Sequence, residues 1–533
     1  MAAARSFIGT GVVQTRIRSS FRPSDRLVNK RGFPCAMGQL PWALWVATVL
    51  ALGLGLCEGR LFHRGRQLGG NVKLWSGSAA HVGPGEQWFT QQLDHFDPTN
   101  LRTWKQRYFT NSEFHKPGGP VFLMIGGEGE ASAHWMVEGQ WIEDAKHFDA
   151  LCFQLEHRYY GKSKPTENLS TENLIYLSSE QALADLAYFI EAMNREHKLP
   201  AGTKWIVQGG SYPGSLAAWM RMRYPHLVHG AMSASGPLLA KLDFKEYFYV
   251  VRDALSEYNV GCTKAIFDAF QQVDILLKHM IGQRSLNKLF RLCDDIDVSN
   301  GDDVTSLFEN LASNFAGVVQ YNKDNRPRSP THNITIDVVC DVMLNQQKGT
   351  PVHRLGLVND MLLAASNQTC LDYTYNKMIQ QLTNTSWESS MAEGGRQWTY
   401  QTCVEFGFFQ TSDKFPADFF TKQCADIFGR NVTFLLDFRF SRDLLQKGIM
   451  RTNTLYGDLH IQASRIVFVH GSTDPWHTLG ITETVNKEAP AIYIKDTAHC
   501  AVMYPSSKDD LPQLVAARKQ IRNLIGQWLN TKS

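Results

Sequence analysis

One short stretch restricts the possible fold more than any other, residues 205–220, WIVQGGSYPGSLAAWM. An apolar run typical of a strand meets two glycines, a serine and a Tyr-Pro-Gly step, and a helical pattern then begins. Glycines beside the serine allow the close backbone approach that a sharp corner needs. Proline suits the first turn of a helix, where its missing N–H costs nothing. The stretch therefore predicts a strand, a tight corner at Ser211 and a helix to about Tyr224.

Strand and helix patterns alternate on both sides of this corner. Apolar runs at 120–130 and 149–165 end in glycines or a polar turn, and residues 178–196 space apolar positions three and four apart. The alternation returns at 464–477, SRIVFVHGSTDPWH, and at 491–500, AIYIKDTAHC. Such alternation predicts an α/β fold, with a mostly parallel sheet covered by helices on both faces.

The first 59 residues are interpreted as a leader. Residues 41–57 form the one long uncharged apolar run, and 17 residues are few for a membrane span but enough for a signal-peptide core. Either Met37 is the working start, with cleavage near residue 59, or the long basic leader keeps the run as a membrane anchor. The short run favours a signal peptide. We therefore predict entry into the secretory pathway, with secretion or the lysosome as destination.

Sequons and cysteines agree with export. Five Asn-x-Ser/Thr sequons predict glycosylation, and they lie at Asn168, Asn333, Asn367, Asn384 and Asn431. Cysteines clustered in an exported segment predict disulfides, and six of them lie at Cys262, Cys293, Cys340, Cys370, Cys403 and Cys424. The formal net charge of +3 is too small to favour nucleic acid as a partner.

The segment 241–434 differs from its surroundings. Its patterns are helical without buried strand runs between them, and it holds the six clustered cysteines and four sequons. We predict that it is a disulfide-stapled helical cap inserted into a core formed by 86–240 and 435–533. Residues 60–85 precede the core as a propeptide or a loose lead-in.

A serine becomes a useful nucleophile only when a base takes its proton, and that base needs an orienting acid. Hydrolases of the α/β type carry these groups in the order Ser, Asp, His, each after its own strand. Asp474 follows one apolar run and His499 follows the next. We therefore predict an α/β-hydrolase fold with Ser211 as nucleophile, Asp474 as acid and His499 as base.

Some of these residues have competing interpretations. The glycines around Ser211 could form a purely structural turn, but their spacing does not fit a dinucleotide or phosphate loop. His470 has no strand between it and the acid, and Asp496 would have to share one strand with its histidine. His157 and His226 come too early in the chain or lie on the helix after the serine, and we interpret both as structural.

The oxyanion of the reaction intermediate needs backbone N–H donors. The first should be the N–H of Tyr212, directly after the serine at the positive end of the following helix. The second should come from a loop after an early strand, and 120–130 offers Gly126, Gly127 and Gly129. We predict Gly127, against the alternative that this loop is a simple turn.

Six stretches together resemble the prolyl carboxypeptidase family of serine peptidases, and most of all its branch typified by thymus-specific serine protease. The likeness runs from about 88 to 528 and departs from the usual Gly-x-Ser-x-Gly at Pro213. The stretches are GGEGE, EHRYYGKSKP, GGSYPGSLAAWMRMRYPHLV, SASGPL, HGSTDPWHTLG and DTAHC.

The resemblance implies cleavage of peptides beside proline, an exopeptidase action, and a small pocket for proline to which Trp476 contributes. It also implies an acidic pH optimum for members that work in lysosomes, which would require a depressed pKa of His499. The disulfide pairing that it implies is Cys262–Cys340, Cys293–Cys370 and Cys403–Cys424. Cys152 and Cys500 then have no assigned partner.

Two rival functions remain at this stage. One is an esterase on the same fold, although the cap is rich in sequons and charge where a lipase would carry an apolar lid. The other is an inactive hydrolase fold that serves as a binding protein, although all three catalytic residue types are present. No pattern points to a metal or another cofactor. Peptides are the expected partners, a homodimer is left open, and membrane attachment requires the leader to be retained.

Overall fold

The computed structural model describes residues 83–324, 331–429, 440–484 and 486–531, together with two short strands near the amino terminus. The predicted leader and signal peptide, most of the lead-in, and Asn431 lie outside the described residues. The two short strands, β1 (Leu61–His63) and β2 (Arg66–Leu68), pair antiparallel.

An eight-stranded sheet forms the centre of the molecule. Its strands are β3 (Gln87–Gln92), β4 (Thr103–Asn111), β5 (Val121–Ile125), β6 (Leu151–Leu155), β7 (Trp205–Gly210), β8 (Gly230–Ala234), β11 (Ile466–Gly471) and β12 (Ala491–Ile494). They lie in the order β12-β11-β8-β7-β5-β6-β4-β3. The six strands from β12 to β6 are parallel to their neighbours, whereas β4 and β3 pair antiparallel at one edge.

The predicted α/β fold with a mostly parallel sheet is confirmed, and it is the fold of the α/β-hydrolases. Strands β5, β6 and β8 are buried along their whole length, which explains why they appear in the sequence as continuous apolar runs. Helices of the first half of the chain cover the sheet: α1 (Gln140–Phe148), α2 (Thr171–Leu174), α3 (Ser179–Glu196) and α4 (Tyr212–Arg223).

Between β8 and β11 the chain forms a largely helical segment. Its helices are α5 (Glu246–Tyr258), α6 (Val260–Leu277), α7 (Met280–Leu289), α8 (Gly301–Gln320), α9 (Ile336–Leu344), α10 (Pro351–Ala365), α11 (Tyr375–Thr383), α12 (Gly395–Gln401), α13 (Ala417–Phe428) and α14 (Arg442–Tyr456). Disulfides join Cys262 to Cys340, Cys293 to Cys370 and Cys403 to Cys424, which is the pairing that the family resemblance implies.

The sequence interpretation expected no strands in this segment, and the structure differs in one place. Strand β9 (Lys241–Asp243) pairs in parallel with β10 (Gly407–Phe409). Each strand has only three residues, which is too short to produce an alternating pattern in the sequence. The pair joins the beginning of the segment to a part of it that lies much later in the chain.

The chain then returns to the sheet and ends in α15 (Pro512–Asn530), which packs against α1. Strands β7, β11 and β12 are parallel, so their carboxyl ends share one edge of the sheet, and the residues that follow these strands lie along that edge. Among the described residues, no helix is both long enough and apolar enough to cross a bilayer.

Candidate active site

Ser211 occupies a strained corner between β7 and α4. Its φ is 64° and its ψ is −134°, a conformation that residues other than glycine rarely adopt and that persists only where the surroundings enforce it. The Ser211 N–H donates to the carbonyl of Ala234 at 2.9 Å, which fixes the corner to β8. A Cβ at Gly209 would lie 2.2 Å from the carbonyl oxygen of Pro213, so the corner requires glycine there. The result is a half-exposed serine at the start of a helix.

Asp474 and His499 form a buried pair. His499 Nδ1 lies 2.9 Å from Asp474 Oδ1, and the two side chains are 5% and 0% exposed. The same oxygen accepts the N–H of Trp476 at 3.0 Å, which holds the carboxylate in place. Nδ1 therefore faces the acid, which is the orientation that a histidine base needs.

The charges of this pair support each other. Burial alone would lower the pKa of His499, but the adjacent Asp474 carboxylate raises it, and the pKa is held well above its usual value of 6.5. Burial alone would raise the pKa of Asp474, but His499 lowers it, so the carboxyl stays ionised. The family-based expectation of an acidic optimum required a depressed His499 pKa, and the structure gives the opposite direction.

The turn that carries His499 lies against the corner that carries Ser211. The Cys500 N–H donates to Ser235 Oγ at 2.9 Å, and Ser235 directly follows β8. A Cβ at Gly210 would lie 3.0 Å from Cys500 Sγ. The residue after the histidine therefore touches the residue before the serine, and the three predicted residues converge at one edge of the sheet.

The loop after β5 packs on the first turn of α4. A Cβ at Gly127 would lie 2.3 Å from Pro213 Cγ, so only glycine allows this close approach. The N–H of Gly126 is already engaged with the Leu155 carbonyl at 2.9 Å. Tyr212 supplies the first N–H of α4, which has no partner within its own helix. The two residues predicted to supply oxyanion N–H groups, Gly127 and Tyr212, therefore lie where the loop after β5 meets the start of α4.

A buried carboxylate stabilises the loop that contains Gly127, and the sequence analysis did not identify it. Glu156 is fully buried after β6 and binds the Arg107 guanidinium at 2.5 Å. It also accepts the N–H of Ala131 at 3.0 Å, at the far end of that loop, and the Ser163 hydroxyl at 2.7 Å. Its signal in the sequence was a charged Glu-His-Arg run that directly follows an apolar strand.

The side chain of Tyr212 is held by a second buried network. Its hydroxyl lies 3.1 Å from His157 Nε2 and accepts the Gln401 amide at 3.1 Å. Gln401 in turn accepts the Tyr160 hydroxyl at 2.7 Å and donates to Glu405. Burial lowers the pKa of His157 to about 4, so this ring is neutral at ordinary pH. His157 thus has a structural contact, as the sequence interpretation expected, and that contact is with the residue next to Ser211.

Trp476 forms part of an aromatic wall beside His499. Its ring centroid lies 6.5 Å from that of His499, and it packs against Phe244, Tyr247 and Phe408 at 5.5–5.8 Å. Only 5% of the residue is exposed. Its position suits one wall of a substrate pocket, with most of the ring committed to packing.

The competing residues have other environments. His470 is buried, which lowers its pKa to about 4, and His477 Nδ1 lies 2.7 Å from the main-chain oxygen of Asp474. Asp496 and His226 are exposed. Within the described residues, His499 is the only one of these histidines that has a hydrogen bond to the side chain of Asp474.

The predicted modification sites differ in exposure. Asn333, Asn367 and Asn384 are exposed, whereas Asn168 is half-buried and accepts the Ser170 N–H at 2.9 Å. Cys152 is a buried free thiol and Cys500 is a half-buried one. In the part of the chain that the structure describes, no three His, Cys, Asp or Glu side chains form a group that could hold a metal.

The fold and the strained serine at the end of a central strand define the class, a serine hydrolase on the α/β-hydrolase fold. The model of the serine carboxypeptidase S28 family matches residues 91–521. The chain belongs to that family and is a serine-type peptidase.

Named relatives agree with this assignment. The chain is 33% identical to thymus-specific serine protease of Mus musculus, over 92% of this chain and 97% of that protein. It is 28% identical to lysosomal Pro-X carboxypeptidase of Homo sapiens, over 82% of this chain and 87% of that protein. Among solved structures, proline iminopeptidase of Mycobacterium smegmatis aligns with 83% of this chain and 97% of that one, at 9% identity and a TM-score of 0.36.

Proposed function

We propose that Ser211, His499 and Asp474 are the catalytic triad of this peptidase and that it acts as an exopeptidase on peptides beside proline. The observation that carries the proposal is the buried His499–Asp474 hydrogen bond of 2.9 Å next to a serine held at a φ of 64°. A strained corner and a buried ion pair both cost free energy, and they occur together where chemistry requires them.

The proposed reaction has two stages, acylation of Ser211 and hydrolysis of the acyl-enzyme. His499 takes the proton of the Ser211 hydroxyl as the oxygen attacks the peptide carbonyl carbon. The N–H groups of Tyr212 and Gly127 bind the oxyanion that forms. His499 then gives its proton to the departing amine, which leaves an acyl group on Ser211. A water that passes its proton to the same imidazole then attacks the acyl carbon, the bond to Ser211 Oγ breaks, and His499 returns the proton to that oxygen. Asp474 holds the ring in the required tautomer and stabilises its charged form.

The preference for proline is supported by the relatives and by the aromatic wall. Lysosomal Pro-X carboxypeptidase is named for action beside proline. In this chain the rigid, buried face of Trp476 next to His499 suits a small cyclic side chain better than a long flexible one. Peptides are accordingly the proposed partners. The proposed compartment is the secretory pathway, with secretion or the lysosome as the destination.

A fluorophosphonate probe tests the triad directly. The native protein is expected to be labelled once per chain, and Ser211→Ala to lose all labelling while keeping its melting temperature. Ser215→Ala is a matched control, because Ser215 is a buried serine of the same helix whose hydroxyl bonds the Pro237 carbonyl at 2.8 Å. Absence of labelling of the native protein would contradict the enzyme assignment and favour a binding role.

Matched peptides test the specificity. One set carries proline next to the carboxyl-terminal residue, and the other carries proline second from the amino terminus. Each set has a counterpart with alanine in place of proline and another with the nearby terminus blocked. Cleavage that requires both proline and the free terminus supports an exopeptidase. Equal cleavage of the blocked peptides would show endopeptidase action, and cleavage of simple esters without cleavage of any peptide would favour an esterase.

A further inference from the structure

One glutamine of the inserted segment contacts both loops that carry the acid and the base. Gln320 is the last residue of α8 and only 1% of it is exposed. Its main-chain carbonyl accepts the His499 N–H at 2.9 Å. Its side-chain Oε1 accepts the indole N–H of Trp476 at 3.1 Å and the hydroxyl of Tyr247 at 2.6 Å.

The groups that Gln320 binds are close in the chain to Asp474 and His499, because Trp476 lies two residues after Asp474 and the bonded main-chain N–H is that of His499 itself. The N–H of Trp476 donates to Asp474 Oδ1, the same oxygen that faces His499. An indole fixed by Gln320 therefore fixes the backbone that holds the carboxylate. The bond to the His499 N–H fixes the turn from which the imidazole projects. One residue thus acts on both members of the pair, although it lies 156 positions before Trp476 in the sequence.

We propose that Gln320 is a positioning residue of the His499–Asp474 pair, so that the inserted helical segment completes the catalytic apparatus of the core. This inference rests on the proposed function of that pair. A single buried acceptor oxygen that satisfies two buried donors leaves both unpaired when it is removed, and the cost appears as displacement of the groups that carry them.

The same helix offers a matched comparison. Asn314 lies on α8, is 1% exposed like Gln320, and donates its amide to Asn359 Oδ1 at 3.2 Å. Asn359 belongs to α10 of the inserted segment. Replacing Asn314 therefore disturbs a buried amide of the same helix within the inserted segment, whereas replacing Gln320 disturbs the contact of that segment with the catalytic loops.

The experiment measures kcat, KM and the rate of fluorophosphonate labelling in the full chain. Gln320→Met keeps the length of the side chain and removes the acceptor, and kcat and the labelling rate are expected to fall about ten- to a hundredfold. KM is expected to change by less than about twofold, because the lost interaction acts on the reacting groups. Final labelling should still reach one probe per chain. Asn314→Leu should stay within about threefold of the native rate.

Two further variants keep the test decisive. Gln320→Glu retains an acceptor oxygen. On a logarithmic scale, its kcat should lie at least about halfway from that of Gln320→Met to that of the native protein. Tyr247→Phe removes one donor and should lower kcat by about threefold with an intact fold, which also covers the case in which Gln320→Met does not fold. Native rates in Gln320→Met, or an equal loss in Asn314→Leu, would overturn the inference. A native protein that is not labelled would instead contradict the proposed function.

Discussion

The two sides of the proposed active site are supported in different ways. Ser211 and Tyr212 lie on one continuous strand–corner–helix unit in the middle of the sheet, and the corner is bonded directly to β8. Asp474 and His499 lie on two separate loops after β11 and β12, the last two strands at one edge of the sheet. The first side is fixed by the packing of a central element. The second depends on hydrogen bonds between loops and on Gln320 of the inserted segment.

The two kinds of support restrict the movement of the residues on each side to different degrees. A residue on a buried strand–helix unit can move only if the core moves with it, and the core is close-packed. A residue on a loop can move by ångströms at small cost unless specific bonds restrain it. We therefore expect substitutions on the loop side to lower activity with little loss of stability. On the serine side, substitutions that disturb the packing should lower activity and stability together, whereas Ser211→Ala removes only the reacting hydroxyl and should leave the stability unchanged.

The largest effect is expected from a substitution of Asp474, the proposed acid on the loop side. Asp474→Asn leaves the shape of the site but favours the wrong tautomer of His499, and kcat should fall about 10⁴-fold. Asp496→Asn, an exposed acid three residues before His499, is the control and should retain native activity. Steady-state kinetics on the same peptide measure both. A loss confined to Asp496→Asn would assign the acid to Asp496.

The next largest effect should come from the loop that meets the serine side. At Gly127 an added Cβ would lie 2.3 Å from Pro213 Cγ, so Gly127→Ala must shift the loop or the first turn of α4. If the N–H of Gly127 is displaced from its proposed place in the oxyanion site, kcat should fall about 10²- to 10³-fold. Gly85→Ala is the control, because nothing lies within 4 Å of an added Cβ there. Equal activity of the two variants would remove Gly127 from the site.

More of the local geometry could be predicted from the sequence on the serine side than on the loop side. Local patterns of glycine and proline predict a turn at Ser211 and Tyr212, and glycines predict one at Gly127. The geometry of such a turn is determined by a few neighbouring residues. The order of Asp474 and His499 after two apolar runs gave their position along the edge of the sheet. Their hydrogen bond depends on loop conformations that no local pattern encodes.

The residues that support the site could not be predicted from the sequence, because their contacts also depend on parts of the chain that are far apart. Gln320 and Gln401 are single glutamines in helical patterns, where a polar residue usually faces solvent. Their burial arises only when the inserted segment meets the core. Glu156 came closest to being recognised, since a charged run directly after an apolar strand is unusual, but its partner Arg107 lies on another strand and could not be inferred.

The pH dependence should separate the two sides. The Asp474 carboxylate holds the pKa of His499 well above 6.5, and a protonated imidazole cannot accept the serine proton. Activity should therefore rise with pH through that pKa, and kcat/KM should fall about tenfold for each pH unit below it. His157, on the serine side, has a pKa lowered to about 4 and should contribute no step between pH 5 and 8. A kcat/KM profile over that range measures this.

If the acid limb of the kcat/KM profile had its midpoint below pH 5.5, the pKa of His499 would be lowered, which contradicts the predicted increase. Such a midpoint would also favour the lysosome over a neutral compartment as the place of action. His157→Gln is the matched variant, because it keeps a polar group beside the Tyr212 hydroxyl without a titrating ring. The midpoint of the acid limb should be the same in this variant as in the native protein. A shift of the midpoint would mean that the serine side titrates as well.

The smallest effect tests whether the serine side is as rigid as its packing suggests. Tyr212→Phe removes the hydroxyl that lies between His157 and Gln401 and leaves the backbone N–H that is proposed to bind the oxyanion. Stability should fall by about 1–2 kcal/mol, because two buried groups lose a partner, and kcat should fall about threefold. Tyr159→Phe is the control, since Tyr159 is also fully buried and its hydroxyl donates to the carbonyl of half-buried Asn173. It should lose similar stability in urea unfolding and keep native kcat. A much larger loss of kcat in Tyr212→Phe would mean that this side, too, is held by side-chain hydrogen bonds, and the contrast between a packed side and a bonded side would no longer hold.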